Sequence, residues 1–427
     1  MKLIEQESKK KLKNSLTENK LEEGLKIDKN KDIKTIHDFD IILNKKNFFN
    51  FIKENHSSTL FNNISIFDKD KYNNCKQLFN QHFTHNNFSQ FEKKCIGSML
   101  GMAIGDALGA RVEFEKLSYE KNDVKDMGKD IGGKFKLQPG QWTDDTAMGL
   151  CLADSLIENK GNFNGHDFMI RLICWWYFGY NNAFRFDDQR RNKNSVGLGA
   201  NVNGSFKKYF NGYGLNEYTT HGDKNTSGNG SIIRNTSIPI CFYTDMKAAL
   251  TVAFKQSKVT HQGIEAAECC QLLTYIIVLI LNGTELRFIL NNLYLFKCQC
   301  LSVNYLVNSL IENNDQNRNW NWKDKNYRYS PLRAEINPGY IGSYAMDAMA
   351  MTLHILYYTN SFKEAILKCA NLRGDADSVC AVVGQIAGAY YGLDNIPQDW
   401  IQTLFKWDKY KEIPLRAYIL CHMFDNP

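Results

Sequence analysis

These 427 residues contain no Cys-x-x-Cys pair, no dense Lys/Arg block interleaved with aromatics, and no apolar run long enough to cross a bilayer. Each absence removes a class of protein. The 12 cysteines lack zinc-ribbon spacing: Cys269 and Cys270 are adjacent, and Cys298-x-Cys300 is too close for an ordinary zinc pair. They read as small core residues kept reduced, and with no secretory leader the expected location is cytoplasmic. A net charge of +6, from 52 basic against 46 acidic residues, is too even to announce a nucleic-acid or membrane partner. The longest apolar runs are "LLTYIIVLIL" (Leu272 to Leu281) and "IGSMLGMAIGDALGA" (Ile96 to Ala110). The first is short for a span and the second carries Asp106 inside it, so both read as core helices. Period-two alternation is also scarce. The expected fold class is therefore all-α.

What is present divides the chain in two. Residues 1–90 are rich in Lys, Asn, Asp and Glu, with almost no Gly or Pro, and read as a solvated, partly helical or disordered extension. Within it, "FDIILNKKNFFNFIKEN" has helical apolar spacing and suits a small packed unit. From Phe91 the composition shifts toward Gly, Ala, Met and aromatics, which sets a main domain of 91–427. In "CIGSMLGMAIGDALGA", Ile96, Leu100, Ala103 and Ala107 mark one helical face, and Gly97, Gly101, Gly105 and Gly109 recur every fourth residue. An interior glycine costs about 1 kcal/mol relative to alanine, so four in one register imply a helix approached closely by another. "MGLCLADSLI", "IEAAECCQLLTYIIVLILNG", "GSYAMDAMAMTLHILYY" and "SVCAVVGQIAGAYYG" are the further expected core helices. "NDQNRNWNWKDKNYRYS" is a polar, aromatic-laced insertion.

Two acidic clusters stand at helix starts. "WTDDTAM" places Thr143, Asp144 and Asp145 before an apolar run. The plain reading is a helix N-terminus, with Thr or Asp as the cap and acids favoured by the dipole. "RGDADSV" repeats the construction with Asp375, Asp377 and Ser378. Two such loops assemble four carboxylates and several hydroxyls, enough to hold a pair of Mg²⁺ ions. Glu113, in "GDALGARVEFE", is a third acidic candidate, otherwise a solvated helix-end glutamate. "TSGNGSIIRN" suits backbone N–H groups cradling phosphate, or simple turn chemistry. His261, in "VTHQG", lies at the lip of another helix, where a lone histidine is commonly structural.

In this order, "GSMLGMAIGDALGARVEF", "WTDDTAM", "GNGSIIRNTSIPI", "THQ" and "RGDADSVCAVVGQIAGAYYG" make the chain from Phe91 onward resemble the ADP-ribosylglycohydrolase family. The resemblance implies an all-helical domain whose cleft holds two divalent ions, usually Mg²⁺ and sometimes Mn²⁺. It implies Thr143, Asp144, Asp145, Asp375, Asp377 and Ser378 as ligands, with Glu113, Asp145 and Asp375 as the carboxylates at the chemistry. Thr226, Ser227, Gly228, Asn229, Gly230 and Ser231 match the diphosphate loop, His261 a residue touching ADP-ribose, and Tyr340 a loop beside the ligand. Arg373 departs from the pattern where a second glycine is usual, and Ala376 and Ser378 replace threonines. The implied reaction is hydrolysis of the bond from ADP-ribose to an acceptor, a modified protein or another conjugate, by a monomeric enzyme without a nucleic-acid partner. The competing readings are a relative that binds ADP-ribose or metal without catalysis, and a structural helical protein whose acids are caps.

Overall fold

The protein was analysed as a computed structural model that describes residues 69–85, 87–209, 226–329 and 331–424. Its α-helices are α1 (Lys69–His85), α2 (Gln90–Gly109), α3 (Asp144–Glu158), α4 (Gly165–Phe178), α5 (Ala200–Lys208), α6 (Ser237–Cys241), α7 (Met246–Lys258) and α8 (Ile264–Leu281). They continue as α9 (Leu286–Asn291), α10 (Leu301–Val307), α11 (Pro331–Ile336), α12 (Ala345–Tyr357), α13 (Phe362–Leu372), α14 (Ala376–Tyr391), α15 (Gln398–Phe405) and α16 (Glu412–Cys421). Among the described residues β-structure is limited to isolated bridges. The all-α expectation holds.

The glycine register decides how the centre is built. Helix α2 starts from a reciprocal cap: the Ser89 hydroxyl accepts the Glu92 N–H, and the Glu92 carboxylate accepts the Ser89 N–H at 2.6 Å. Along α2, a Cβ on Gly97, Gly101, Gly105 or Gly109 would fall 2.3, 2.1, 2.1 or 2.4 Å from the carbonyl oxygens of Gly388, Gly384, Cys380 and Ala376. The paired numbers run in opposite directions, so α2 and α14 lie antiparallel, backbone against backbone. Gly384 and Gly388 return the contact to Gly101 and Gly97. Any side chain in this seam would have to push two main chains apart. The seam has a functional consequence: it brings the C-terminal end of α2, and the Glu113 segment after it, beside the start of α14.

Around this pair pack α8, α12, α13 and α16. Helix α8 extends the Leu272–Leu281 run to 18 residues with a mean hydropathy of 1.9, so, against the sequence reading, it is long and apolar enough to pass for a membrane span, and 72% of it is buried inside the protein. Most of its apolar surface faces other helices. Helix α1 lies on the extension side of the composition change but docks on the core, its fully buried Phe79 ring 5.8 Å from that of Tyr418 on α16. "FDIILNKKNFFNFIKEN" lies outside the described residues. The cysteines of the described residues are mostly buried, as core residues should be.

Candidate active site

Neither acidic loop caps its own helix. Thr143 precedes α3 and Asp375 precedes α14, and neither side chain makes a capping bond. The capping reading of "TDDT" is corrected here. The cap of α3 comes from another helix: Asp106, fully buried on α2, accepts the Thr143 and Thr146 N–H groups at 3.0 and 2.9 Å. It also accepts the Thr143 and Thr146 hydroxyls at 2.8 and 2.6 Å. With these donors both Asp106 oxygens are occupied, so its part is to hold the loop. Burial lifts Asp106 to about 6, against the pull of the Thr146 and Thr143 donors.

Asp144 and Asp145 are thereby released from capping. One oxygen each from Asp106, Asp145 and Asp377 lie within 4.8 Å of one another, as do oxygens from Glu113, Asp375 and Asp377. Asp377 belongs to both groups. The Thr143 hydroxyl has three carboxylates in reach, Asp106 at 2.8, Asp145 at 3.0 and Asp377 at 3.4 Å, but only one proton to give. Within the cluster, Oδ1 of Asp145 and Oε2 of Glu113 have no hydrogen-bond partner among the described residues. Burial first, then the neighbouring acids, pushes Asp144, Asp145 and Asp377 well above the ordinary carboxylate range. The same two causes, with Asp375 the leading neighbour, raise Glu113 to about 9. Buried acids clustered this closely, with orphaned oxygens and no arginine or lysine among them, fit hard divalent cations and little else. Asp144 is half-buried and stands outside both groups, its carboxylate against Gly197, where a Cβ would fall 1.8 Å from its Oδ1.

The second loop is fastened by main chain and by one amide. The Phe114 N–H donates to the Gly374 carbonyl at 2.8 Å and the Gly374 N–H to that of Glu115 at 3.0 Å, which sets Glu113 beside Asp375. The Asp375 N–H bonds the Ile341 carbonyl at 2.8 Å. The Asn229 side-chain amide donates to Asp375 Oδ2 and to the Gly342 carbonyl, both at 3.0 Å. Asn229, expected on the diphosphate loop, thus supports one of the cluster carboxylates. Arg373 adopts φ 68, a conformation suited to the glycine usual there, and its buried guanidinium is fixed by Glu115 and Asp123.

The remaining predicted residues separate into two roles. The Ser231 hydroxyl is buried and accepts from Ser257 at 2.9 Å. Ser227 caps α8 by accepting the Ala266 N–H at 3.3 Å, and the Thr226 carbonyl accepts the Gly263 N–H at 2.8 Å. These hold the loop's shape. His261 is buried, with Nδ1 2.8 Å from the Thr260 hydroxyl, and burial, with Arg234 second, lowers it to about 3, so the ring is neutral. Its far edge lies against the loop: a Cβ on Gly230 would meet the ring at 2.9 Å. A groove of about 360 Å³ opens alongside, lined by Thr226, Ser227, Gly228, Tyr340, Ser343 and Tyr344 among others. Tyr340 stands exposed on its edge, 5.2 Å from the Phe114 ring. Cleft acids and groove adjoin through Asn229 and the Ile341–Ser343 main chain.

The ADP-ribosylglycohydrolase family model matches residues 88–425. The chain is 34% identical over 310 residues to ADP-ribosylarginine hydrolase Tri1 of Pseudomonas putida, covering 72% of this chain and 73% of that one. It is 25% identical to ADP-ribosyl-[dinitrogen reductase] glycohydrolase of Rhodospirillum rubrum, over 73% of this chain and 90% of the relative. A solved structure described as an ADP-ribosylglycohydrolase-related protein complex superposes with a TM-score of 0.61 at 26% identity, over 78% of this chain and all of that one.

Proposed function

Because the chain belongs to the ADP-ribosylglycohydrolase family, we propose that it is a Mg²⁺-dependent hydrolase that frees ADP-ribose from modified arginine side chains of proteins. The arginine acceptor rests on the similarity to the Pseudomonas putida arginine hydrolase. The observation that carries the hydrolytic reading is the intact acid cluster: its carboxylates are buried, mutually repelling and in part unbonded. A chain that only bound ADP-ribose would gain nothing by keeping this cost.

Asp144, Asp145, Asp375 and Asp377, with the Thr143 and Ser378 hydroxyls, would hold two ions, Mn²⁺ serving in place of Mg²⁺. When bound they supply Lewis-acid grip on the ribose hydroxyls and a more acidic water. The rest is done by side chains of this protein. Tyr340 and the Gly228–Gly230 loop, backed by the neutral His261, shape the groove for the nucleotide end. Asp106 and Asn229 keep the two loops at fixed separation, so the ribose is held for attack rather than merely bound. Glu113 reaches the scissile bond as the group that holds and returns a proton. Burial and the neighbouring acids favour its protonated form, which suits it to protonate the leaving nitrogen as an oxocarbenium-like transition state forms. Asp145 and Asp375 complete the carboxylates at that bond.

The test is release of ADP-ribose from a panel of arginine-, serine- and polymer-linked substrates with and without Mg²⁺. The proposal expects Mg²⁺-dependent release from the arginine conjugate, lost in Asp375→Asn. Release by the variant at the wild-type rate would refute the site, and release only from another linkage would refute the acceptor.

A further inference from the structure

The aromatic-laced insertion is not used by the active site, yet its end builds a second cavity. Residues 325–329, Ser118–Asn122, α12 and α13 line an open cavity of about 590 Å³, within the roughly 300–1,000 Å³ usual for small-molecule sites. No residue lines both this cavity and the groove beside the acid cluster. The partition between them is thin: Arg333, on the groove side, donates to the Tyr329 hydroxyl on the cavity side at 2.6 Å.

Its chemistry is opposite to that of the cleft. Buried Tyr327, Tyr329 and Met351 line the interior, with the His354 ring 5.1 Å from Tyr327. Tyr119 is pinned by the Tyr329 N–H, which donates to its hydroxyl at 2.6 Å, and the Arg328 guanidinium stacks 4.0 Å from its ring centroid. Exposed Lys325, Arg328 and Lys368 ring the opening, and among the described residues none of the three has a carboxylate within salt-bridge distance. Lys121 is a fourth cation, paired with Glu115 at 3.3 Å. The one acid in the lining, Glu364, accepts the Asn360 N–H at 2.8 Å at the start of α13.

Tyrosine and histidine side chains held in the wall suit a flat ring, and cations without a salt-bridge partner suit phosphate oxygens. We propose that this cavity binds a free nucleoside diphosphate, at a site separate from the hydrolytic cleft. The occupant would rest its base among Tyr119, Tyr327 and His354 and direct its phosphates to Arg328, Lys325 and Lys368. The wall formed by Ser118–Asn122 belongs to the same segment as Glu113, so the two sites share one stretch of main chain while recognising different parts of chemistry.

Photolabelling of the full chain with 8-azido-ADP, followed by peptide mapping, locates the bound base directly and does not depend on turnover. The expected result is labelling of peptides bearing Tyr119, Tyr327 or Tyr329, competed by ADP. In Arg328→Glu/Lys368→Glu that labelling drops about tenfold or more, while melting temperature and ADP-ribose release stay as in wild type. Labelling confined to the Gly228–Ser231 and Tyr340 peptides, or none at all, overturns the proposal. Should the double variant not fold, the wild-type peptide map decides by itself.

Discussion

Helix α3 carries two buried carboxylates nine positions apart, and they are treated in opposite ways. Asp154 is bound by Arg416 through Nε and Nη2 at 2.7 and 3.0 Å, and accepts from Asn181 and Tyr180 as well. Although burial pushes its carboxyl up, the Arg416 and Arg171 guanidiniums hold it below the ordinary carboxylate range. Asp145 has only other acids and one threonine hydroxyl around it, an oxygen with no partner, and a pKa driven up. The fold supplies arginine to the buried acid at Asp154, where the acid's work is structural. Where it withholds arginine, the missing positive charge is to come from outside.

Changes at the two positions should therefore fail differently. The largest effect is expected at the unpaired end: Glu113→Gln should cut turnover about 10²- to 10⁴-fold, with an unchanged circular dichroism spectrum and melting profile. At the paired end, Asp154→Ala should cost about 3–5 kcal/mol in a denaturant titration, because it strands buried Arg416. Its rate per folded molecule should hold. Gly105→Ala tests the seam beneath both, placing a Cβ against the Cys380 carbonyl. An overpacking penalty of about 1–3 kcal/mol is expected in thermal unfolding, with some loss of activity as the two loops separate. Smallest is Asp106→Asn, a change in the anchor alone, which should weaken Mg²⁺ binding about 10- to 100-fold by calorimetry. Near-equal behaviour of Asp106→Asn and Asp154→Asn in metal binding would erase the distinction.

The pH dependence carries the same contrast. In the metal-free cleft Glu113 titrates near 9 rather than 4.5, so the folded state holds a proton that the unfolded chain has lost between those values. Its contribution is fully present below pH 4.5 and disappears as pH rises through about 9, so apo stability should fall on going alkaline. Saturating Mg²⁺ should flatten the decline, adding about 2.7 kcal/mol at a hundredfold excess over Kd. Asp154 has the opposite sign, its contribution lost only as acid protonates it.

Much of this was legible in the sequence because the two loops and the glycine register are local patterns. The fourfold glycine repeat marked the α2 seam, and "TDDT" and "DADS" marked Asp145, Asp375 and Asp377 of the acid cluster, since each is written within a few residues. What escaped were jobs done across the chain. Asp106 looked like a blemish in an apolar run, although a carboxylate in a buried helix must find donors, and that requirement was the available signal. Nothing near Asn229 reveals that its amide reaches Asp375, 146 residues away. The capping role read from Thr143 and its aspartates was mistaken for the same reason: the real cap comes from α2.

The most direct measurement is an Mg²⁺ titration by calorimetry at neutral pH in two buffers of different ionisation enthalpy, on wild type and on Asp145→Asn. The account predicts two ions bound by wild type with protons released, because the acids hold protons until a cation displaces them, and loss of that signal in the variant. Binding unchanged in Asp145→Asn, or no binding and no proton release in wild type, would contradict it.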